Sequence, residues 1–371
     1  MLPSYLKELI ESEDIRFAAV KGIFPAPDYD PLTHYVTLTK SPYFHALLVL
    51  RHYIKLATDY YFGMRMNAKN IDLFMITPSI SSPMGSGSDS EPLPFKFGKY
   101  NSYLVDSSQF GFEPLIMNGF EKVYCYLPSM RGENPDNRHL NQFYHCEAEV
   151  KGNLNELMPI VEDYLKILCE TILLMPNIVN KISKDPGVTM KASQTIVDAS
   201  SFEKMKFDDS IRYLKQNGFS DFISFNKNGN DISAQGEILL LEKFSVGKPI
   251  WLTGYDRDRV PFYQKPDPEN TNKVINADMI FPPLIKGSFG GEIIGAGQRQ
   301  DLIQEIYESL SRQKVPAEKY EWYIDLRRQV GYSTTSGFGM GIERFLAWVL
   351  CRDNIRDVII YPRLKNVVTF P

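Results

Sequence analysis

Nothing in these 371 residues reads as a membrane span, a low-complexity tract or a disulfide framework. The longest apolar runs, such as 46–50 and 345–350, fall far short of the roughly 18 residues that a bilayer-crossing helix needs. The opening MLPSYLKELIESEDIRF has no cationic flank leading into an apolar stretch, so no secretory signal is expected there. Only four cysteines occur (Cys125, Cys146, Cys169 and Cys351), far apart and without a CxxC pair. Structural disulfides and a zinc site therefore lack support, and a reduced, cytoplasmic setting is expected. There is no long basic run, and 41 Lys+Arg stand against 45 Asp+Glu for a net charge of −4, which excludes gripping nucleic acid by bulk charge. With 24 Gly and 24 Pro, collagen-like composition is excluded. What remains is 43% hydrophobic and 23% charged residues, the balance of a globular protein with one large core or two modest ones.

Apolar periodicity predicts a helix over 41–61, where Phe44, Leu47, Leu48, Ile54 and Ala57 recur at helical spacing, and a buried strand over 71–77 stopped by Pro78. The Ser-, Gly- and Pro-rich stretch that follows reads as a mobile loop over 79–100. Strands are expected at 101–105 and 123–127 around a helix-like 109–117, then a strand at 143–150 and a long helix over 154–174. The irregular 176–203 reads as a surface excursion. Later come a helix at 207–217, a turn at 227–231 carrying Asn228-Gly229, strands near 249–254, 274–281 and 291–296, and helices near 302–311 and 317–328. Without a repeat or a βαβ rhythm, this order predicts an α+β fold with a mostly antiparallel sheet flanked by helices.

Three stretches carry chemistry. In Ser336-Gly337-Phe338-Gly339-Met340-Gly341-Ile342-Glu343-Arg344-Phe345, alternating glycines let backbone lie flat against a ligand before a helix begins. Arg344 falls in the first turn, where its charge opposes the helix dipole unless an anion or carboxylate compensates. A dinucleotide fingerprint is excluded because Ile342 stands where GxGxxG needs glycine. A close-packed glycine junction with a solvated Arg has the same sequence. The second stretch, Arg131-Gly132-Glu133…Asn137-Arg138-His139-Leu140…Phe143, sets a guanidinium fork for phosphate or carboxylate beside an aromatic face that can stack on a base. A charged hairpin with a core Phe is the bland alternative. Third, Asp278 and Glu292 sit in strand-like contexts, and paired strands would join their hard oxygens into a site suited to Mg2+.

In this order the three stretches resemble the signature motifs of class II aminoacyl-tRNA synthetases, most closely the aspartyl/asparaginyl branch. GFGMGIER resembles the third motif, and Arg131-x-Glu133…Arg138-His139-Leu140…Phe143…Glu147-x-Glu149 the second. Ile76-Thr77-Pro78 after a long helix resembles the first, which forms a homodimer interface in that family. Trp322 to Arg327, Asp353 to Val358 and Tyr361-Pro362-Arg363 are similar as well, so the likeness runs from about Ser41 to Arg363.

The resemblance implies a synthetase-like catalytic domain at 41–371 behind a short extension, 1–40, and an ATP-dependent ligase whose amino-acid carboxylate attacks the α-phosphate. Arg131 and Arg344 are then catalytic, the first bridging carboxylate and α-phosphate and the second holding the γ-phosphate. ATP contacts fall to these two with Glu133, Arg138, His139, Glu292, Gly341 and Phe143, which would stack on adenine with Arg344 covering its other face. Asp278 and Glu292 would hold Mg2+. For the amino acid, the resemblance implies Ser107, Gln109, Glu113, Arg299, Gly337 and Gly339. Glu113, four after Gln109, matches the asparaginyl acceptor for a side-chain amide, where aspartyl relatives have Lys; Arg299 faces the carbonyl. This pair favours asparagine or a close analogue, unless Glu113 merely neutralises a neighbouring cation.

Some positions depart from the family pattern. Residues 84–87 stand where a Glu-Gly-Ala stretch helps hold the substrate amino group, Gln142 stands for a Glu, and Gly132 for an Ala. Only some forty residues precede the first-motif helix, where the family's anticodon-binding barrel takes roughly a hundred; poor charging of tRNA is expected, with an unidentified small-molecule or carrier acceptor. An aspartate–ammonia ligase, a true asparagine–tRNA ligase and a non-catalytic binding paralogue are the other readings.

Overall fold

The structure, a computed structural model, describes residues 1–81, 91–226, 229–244 and 247–370. Residues 84–87 and Asn228 lie outside the described residues. The main sheet is built from β1 (Lys69–Asn70), β2 (Lys122–Met130), β3 (Gln142–Lys151), β4 (Glu203–Lys206), β5 (Ile250–Thr253), β6 (Asn276–Phe281), β7 (Gly291–Gln298) and β8 (Thr335–Gly341). Their spatial order is β1-β2-β3-β8-β7-β6-β5-β4. Only the two outermost pairings are parallel; the five between them are antiparallel. This is the α+β, mostly antiparallel architecture expected.

Alternation along the central strands sets the two faces of the sheet. Cys146, Ala148 and Val150 of β3, Ala277 and Met279 of β6, Ile294 and Ala296 of β7, and Phe338 and Met340 of β8 are buried in one continuous core. The helices of that core are α1 (Ser4–Asp14), α2 (Pro42–Asp59), α3 (Leu154–Leu173), α4 (Pro176–Ile182), α5 (Pro186–Asp198) and, after β8, a helix at Ile342–Val349. Ser41 caps α2 by accepting from the Phe44 amide. Asn153 and Glu156 close a capping box on α3, satisfying two amides that helix geometry leaves unpaired. The first forty residues share this core: Leu2, Leu6, Ile10 and Phe17 are buried in it, and buried Asp14 accepts from the Asn177 and Ile178 amides that start α4. A smaller core lies under the helices Phe207–Gln216 and Ala234–Phe244, against β4 and β5.

Several expectations need correction. Residues 176–203 are not a surface excursion: α4 and α5 bury Ile178, Val179, Ile182, Thr189, Ala192 and Ile196. Pro176 and Pro186 start these helices and are tolerated because a first-turn amide has no helical partner. The strand expected over 71–77 shrinks to Ile76–Thr77, which pairs with Tyr100–Leu104, itself paired on its other edge with Pro94–Phe97, in a separate small sheet. Part of the expected loop at 79–100 is thus strand. The helix at Ala234–Phe244 was not anticipated, although its Ala, Gln, Glu and Leu are good helix formers.

Because α4 and α5 are core elements, Ile178→Ala and Ile196→Ala should each destabilise the chain by about 2–4 kcal/mol, read as the shift of a urea unfolding midpoint. A surface excursion would show less than about 0.5 kcal/mol.

Candidate active site

The face of the sheet away from the main core carries the chemistry. Register across the strands produces two rows. One runs Cys125, Glu147, Gly339, Gly295, Asp278 and the next Val123, Glu149, Gly337, Gly297, Asn276. Each row has acids or amides at its flanks and glycine on the two central strands, so the floor there is bare backbone. Space above the floor is already committed. A Cβ at residue 337 would lie 1.9 Å from Glu149 Oε2, 2.4 Å from Arg299 Nη2 and 2.8 Å from the Ala148 carbonyl oxygen.

Above this floor lies a cavity of about 330 Å3. Its wall contains every expected site residue except Glu113: Arg131, Glu133, Arg138, His139, Phe143, Asp278, Glu292, Arg344, Ser107, Gln109, Arg299, Gly337, Gly339 and Gly341. The strands β2 and β3 and the loop between them bring Arg131 and Phe143 together, the guanidinium 5.3 Å from the ring centroid. Arg131 Nε is buried without a hydrogen-bond partner among the described residues, as a fork awaiting an anion would be. Arg138 stacks 4.3 Å from the Phe289 ring and donates to the Gly290 carbonyl. Asp136 caps the turn here, accepting from the amides of Arg138 and His139 and from the His139 ring. His145, under Phe143, is held well below the ordinary histidine range by burial and then by Arg131 and Arg344; it accepts or donates at Nδ1 with Ser129 as a neutral ring. Gly132 fits where a Cβ would lie 2.8 Å from the Pro92 carbonyl oxygen, which explains why no Ala stands there.

Arg344 is compensated as its helix position requires: Nη1 lies 3.5 Å from Glu292 Oε2 and donates to the Glu292 carbonyl. Beside it, buried Glu343 accepts from Arg51 of α2 and from the Tyr144 amide, locking the helix start to β3. A bulge aims Glu292. Met279 pairs with Ile294 but Ile280 with Glu292, so Ile293 is the extra residue and Glu292 turns to the cavity. The Asp278 and Glu292 oxygens then converge over Gly295, 3.4 and 3.5 Å from where its Cβ would be. Glu237, which the sequence reading missed, lies behind them and accepts from the Glu292 amide at 3.0 Å. Burial, then the Glu292 charge, pushes the Glu237 carboxyl up to about 8. Burial followed by Glu292 and Glu237 also holds Asp278 well above its ordinary range. Among the described residues, no three His, Cys, Asp or Glu are placed to enclose a metal; Asp278 and Glu292 offer hard oxygens from one side only, leaving room for phosphate and water oxygens.

At the other end, Ser107 Oγ and the Ser108 amide donate to Glu147 at 2.5 and 2.7 Å. Arg299 grips Glu149 through Nε and Nη2 at 2.9 and 2.7 Å. The expectation for Glu113 needs correction. It is fully buried outside the cavity wall, 2.7 Å from Arg327 Nη2, and accepts from Tyr323 and Tyr332. A carboxylate so held stays with its own cation. Gln264, also missed by sequence reading, lines the cavity instead.

A family model for class II tRNA synthetases (D, K and N) matches residues 34–365. The asparagine–tRNA ligase of Pyrococcus furiosus is 34% identical over 269 residues, 72% of this chain and 57% of that protein. That of Pelotomaculum thermopropionicum is 33% identical over 71% of this chain and 57% of its own length. The chain thus spans less than two thirds of the length of these curated relatives. Asparaginyl-tRNA synthetase from Pyrococcus horikoshii, in a crystal structure complexed with asparaginyl-adenylate, superposes with a TM-score of 0.78 at 27% identity, over 92% of this chain and 75% of that one. The Entamoeba histolytica asparaginyl-tRNA synthetase has the same fold, with a TM-score of 0.74 at 22% identity over 93% of this chain and 73% of that one. Among the described residues no helix is long and apolar enough to cross a membrane.

The Glu237 carboxyl sets a pH dependence with a definite sign. Its folded pKa of about 8 exceeds the ordinary 4.5, so between these values the folded chain keeps a proton that the unfolded chain has released, and stability falls as pH rises. In metal-free buffer, Glu237→Gln should flatten the decline in urea midpoint between pH 5 and 8, values spanning roughly that window. An unchanged slope would place the burden elsewhere.

Proposed function

Because this chain belongs to the class II tRNA synthetases (D, K and N), we propose that it activates asparagine with ATP, releasing pyrophosphate and forming an asparaginyl adenylate for transfer to an acceptor. The observation that carries the reading is one cavity in which Arg131, its buried Nε without a hydrogen-bond partner among the described residues, the Arg344–Glu292 contact and the Asp278–Glu292 pair surround a glycine floor.

The chemistry is the approach of two anions, and the chain's contribution is charge and position. Arg131 draws the amino-acid carboxylate and the α-phosphate to one fork, reducing their repulsion and the charge that develops during attack. Phe143 offers a ring face to adenine. Arg344, released from Glu292 by a phosphate, holds the γ-phosphate end and covers the base. Glu133, Arg138 and His139 contact the nucleotide, and Gly341 lets it approach the start of the helix. Asp278 and Glu292 are the residues that would hold Mg2+, which supplies further neutralisation of the phosphates when bound. Ser107, Gln109, Arg299, Gly337 and Gly339 shape the amino-acid end. At that end Arg299 and Arg327 already hold Glu149 and Glu113, a charge balance that suits a neutral side chain better than a second carboxylate. The named activity of the asparagine–tRNA ligase relatives points the same way.

Asparagine-dependent exchange of pyrophosphate into ATP tests this. Exchange should exceed that with aspartate, and Arg131→Ala or Arg344→Ala should lower it by about 10²–10³-fold, equivalent to ~3–4 kcal/mol. Wild-type rates in either variant would remove that residue from the site. Exchange with aspartate alone would replace asparagine as the substrate, and no exchange with any amino acid would favour a binding protein.

A further inference from the structure

We propose that Gln264 is a specificity-determining residue at the amino-acid end of the cavity, where its side-chain amide hydrogen-bonds the carboxamide of the bound amino acid. The inference rests on the activation reading above and supplies the side-chain partner that Glu113, held by Arg327, does not.

The polar groups at this end are nearly all committed to one another. Glu147 accepts from Ser107 and Ser108, Arg299 holds Glu149, and Glu113 holds Arg327. Besides Arg131 Nε at the phosphate end, two buried atoms in the cavity-lining residues are left without a hydrogen-bond partner among the described residues: Gln264 Oε1 and Gln109 Nε2. One is an acceptor and the other a donor. Buried polar atoms in folded proteins are overwhelmingly paired, so an uncommitted acceptor and donor on two residues that line one cavity leave hydrogen-bonding capacity for a ligand to complete. A carboxamide both donates and accepts, as the Gln264 amide itself does, and two planar amides can satisfy each other. A side-chain carboxylate can only accept, and it finds Arg259, Arg299 and Arg327 already bound to acids.

The backbone also holds Gln264 in place for this contact. Residues 264 and 299 form an antiparallel bridge, and the Lys265 amide donates to the Gln298 carbonyl. The preceding Phe262 and Tyr263 are buried in an aromatic cluster with Phe110 and Tyr320. The amide itself occupies space that only glycine leaves free: a Cβ at residue 297 would lie 3.0 Å from Gln264 Cδ and Oε1 and 3.3 Å from Nε2. Gly297 pairs with Gly337, whose missing Cβ in turn makes room for Arg299 and Glu149. Gln264 and Arg299 therefore stand over adjoining positions of one bare floor, and the substrate side chain lies between them.

The test compares two non-hydrolysable adenylate analogues by isothermal titration: asparaginyl-sulfamoyl-adenosine, and its 2-aminobutyryl counterpart, which lacks the carboxamide. Gln264→Met keeps the length of the side chain and removes the amide. It should weaken the asparaginyl analogue by roughly 10–100-fold and leave the aminobutyryl analogue within about twofold, because only the first ligand can use the lost contact. Gln264→Leu gives the same comparison if the Met variant does not fold. Equal weakening of both ligands would mean that Gln264 only shapes the site, and no weakening would mean that it does not touch the carboxamide; either result overturns the proposal. If the wild-type protein binds neither analogue, the activation reading fails first and this inference falls with it.

Discussion

Two neighbouring strands at the middle of the sheet meet the cavity with four glycines in register. Gly295 and Gly297 on β7 pair with Gly339 and Gly337 on β8, and polar and charged groups from around them crowd over the gap. Glu149 and Arg299 reach over Gly337, Gln264 over Gly297, and Asp278 with Glu292 over Gly295. Add a methyl group to this floor and one of those contacts must move. The same strands present Ile294, Ala296, Phe338 and Met340 to the core on the opposite face, so the floor cannot retreat. Rigidity below and charge at the rim are two consequences of one alternating pattern.

That arrangement stores electrostatic tension suited to a polyanion. Asp278, Glu292 and Glu237 crowd one side, and burial with mutual repulsion raises two of these carboxyls. Arg138 and Arg344 repel one another on the same rim, and burial together with that repulsion lowers Arg138. Arg131 has an unsatisfied buried Nε among the described residues. Each is a cost that a phosphate chain and its counter-ion would relieve, and perturbed groups of this kind concentrate where ligands bind.

Much of this was legible in the sequence because the informative residues are local and ordered. The glycine alternation before Arg344, the Arg131-to-Phe143 hairpin and the paired acids each sit within a short stretch, and strand pairing alone brings them together. The errors have physical causes as well. Glu113 has the right type and spacing for an amide acceptor, but Arg327, 214 positions later by residue number, claims it in the folded chain. Glu237 reaches Asp278 and Glu292 only through the packing of Ala234–Phe244 on the sheet, which no local pattern encodes. Gln264 looks like an ordinary loop glutamine until the missing Cβ of Gly297 across the bridge is seen. The irregular pattern of 176–203 hides α4 and α5, and only their buried faces reveal two helices.

On the function proposed above, the bare floor is the bed of an aminoacyl adenylate. A crystal structure of the chain soaked with asparaginyl-sulfamoyl-adenosine tests it most directly. Adenine is expected against Phe143, the sulfamoyl group on the Arg131 fork, and the asparaginyl side chain over Gly297 and Gly337 beside Arg299. A ligand bound elsewhere, or one seated here in the reverse direction with its base over Gly337, would contradict it.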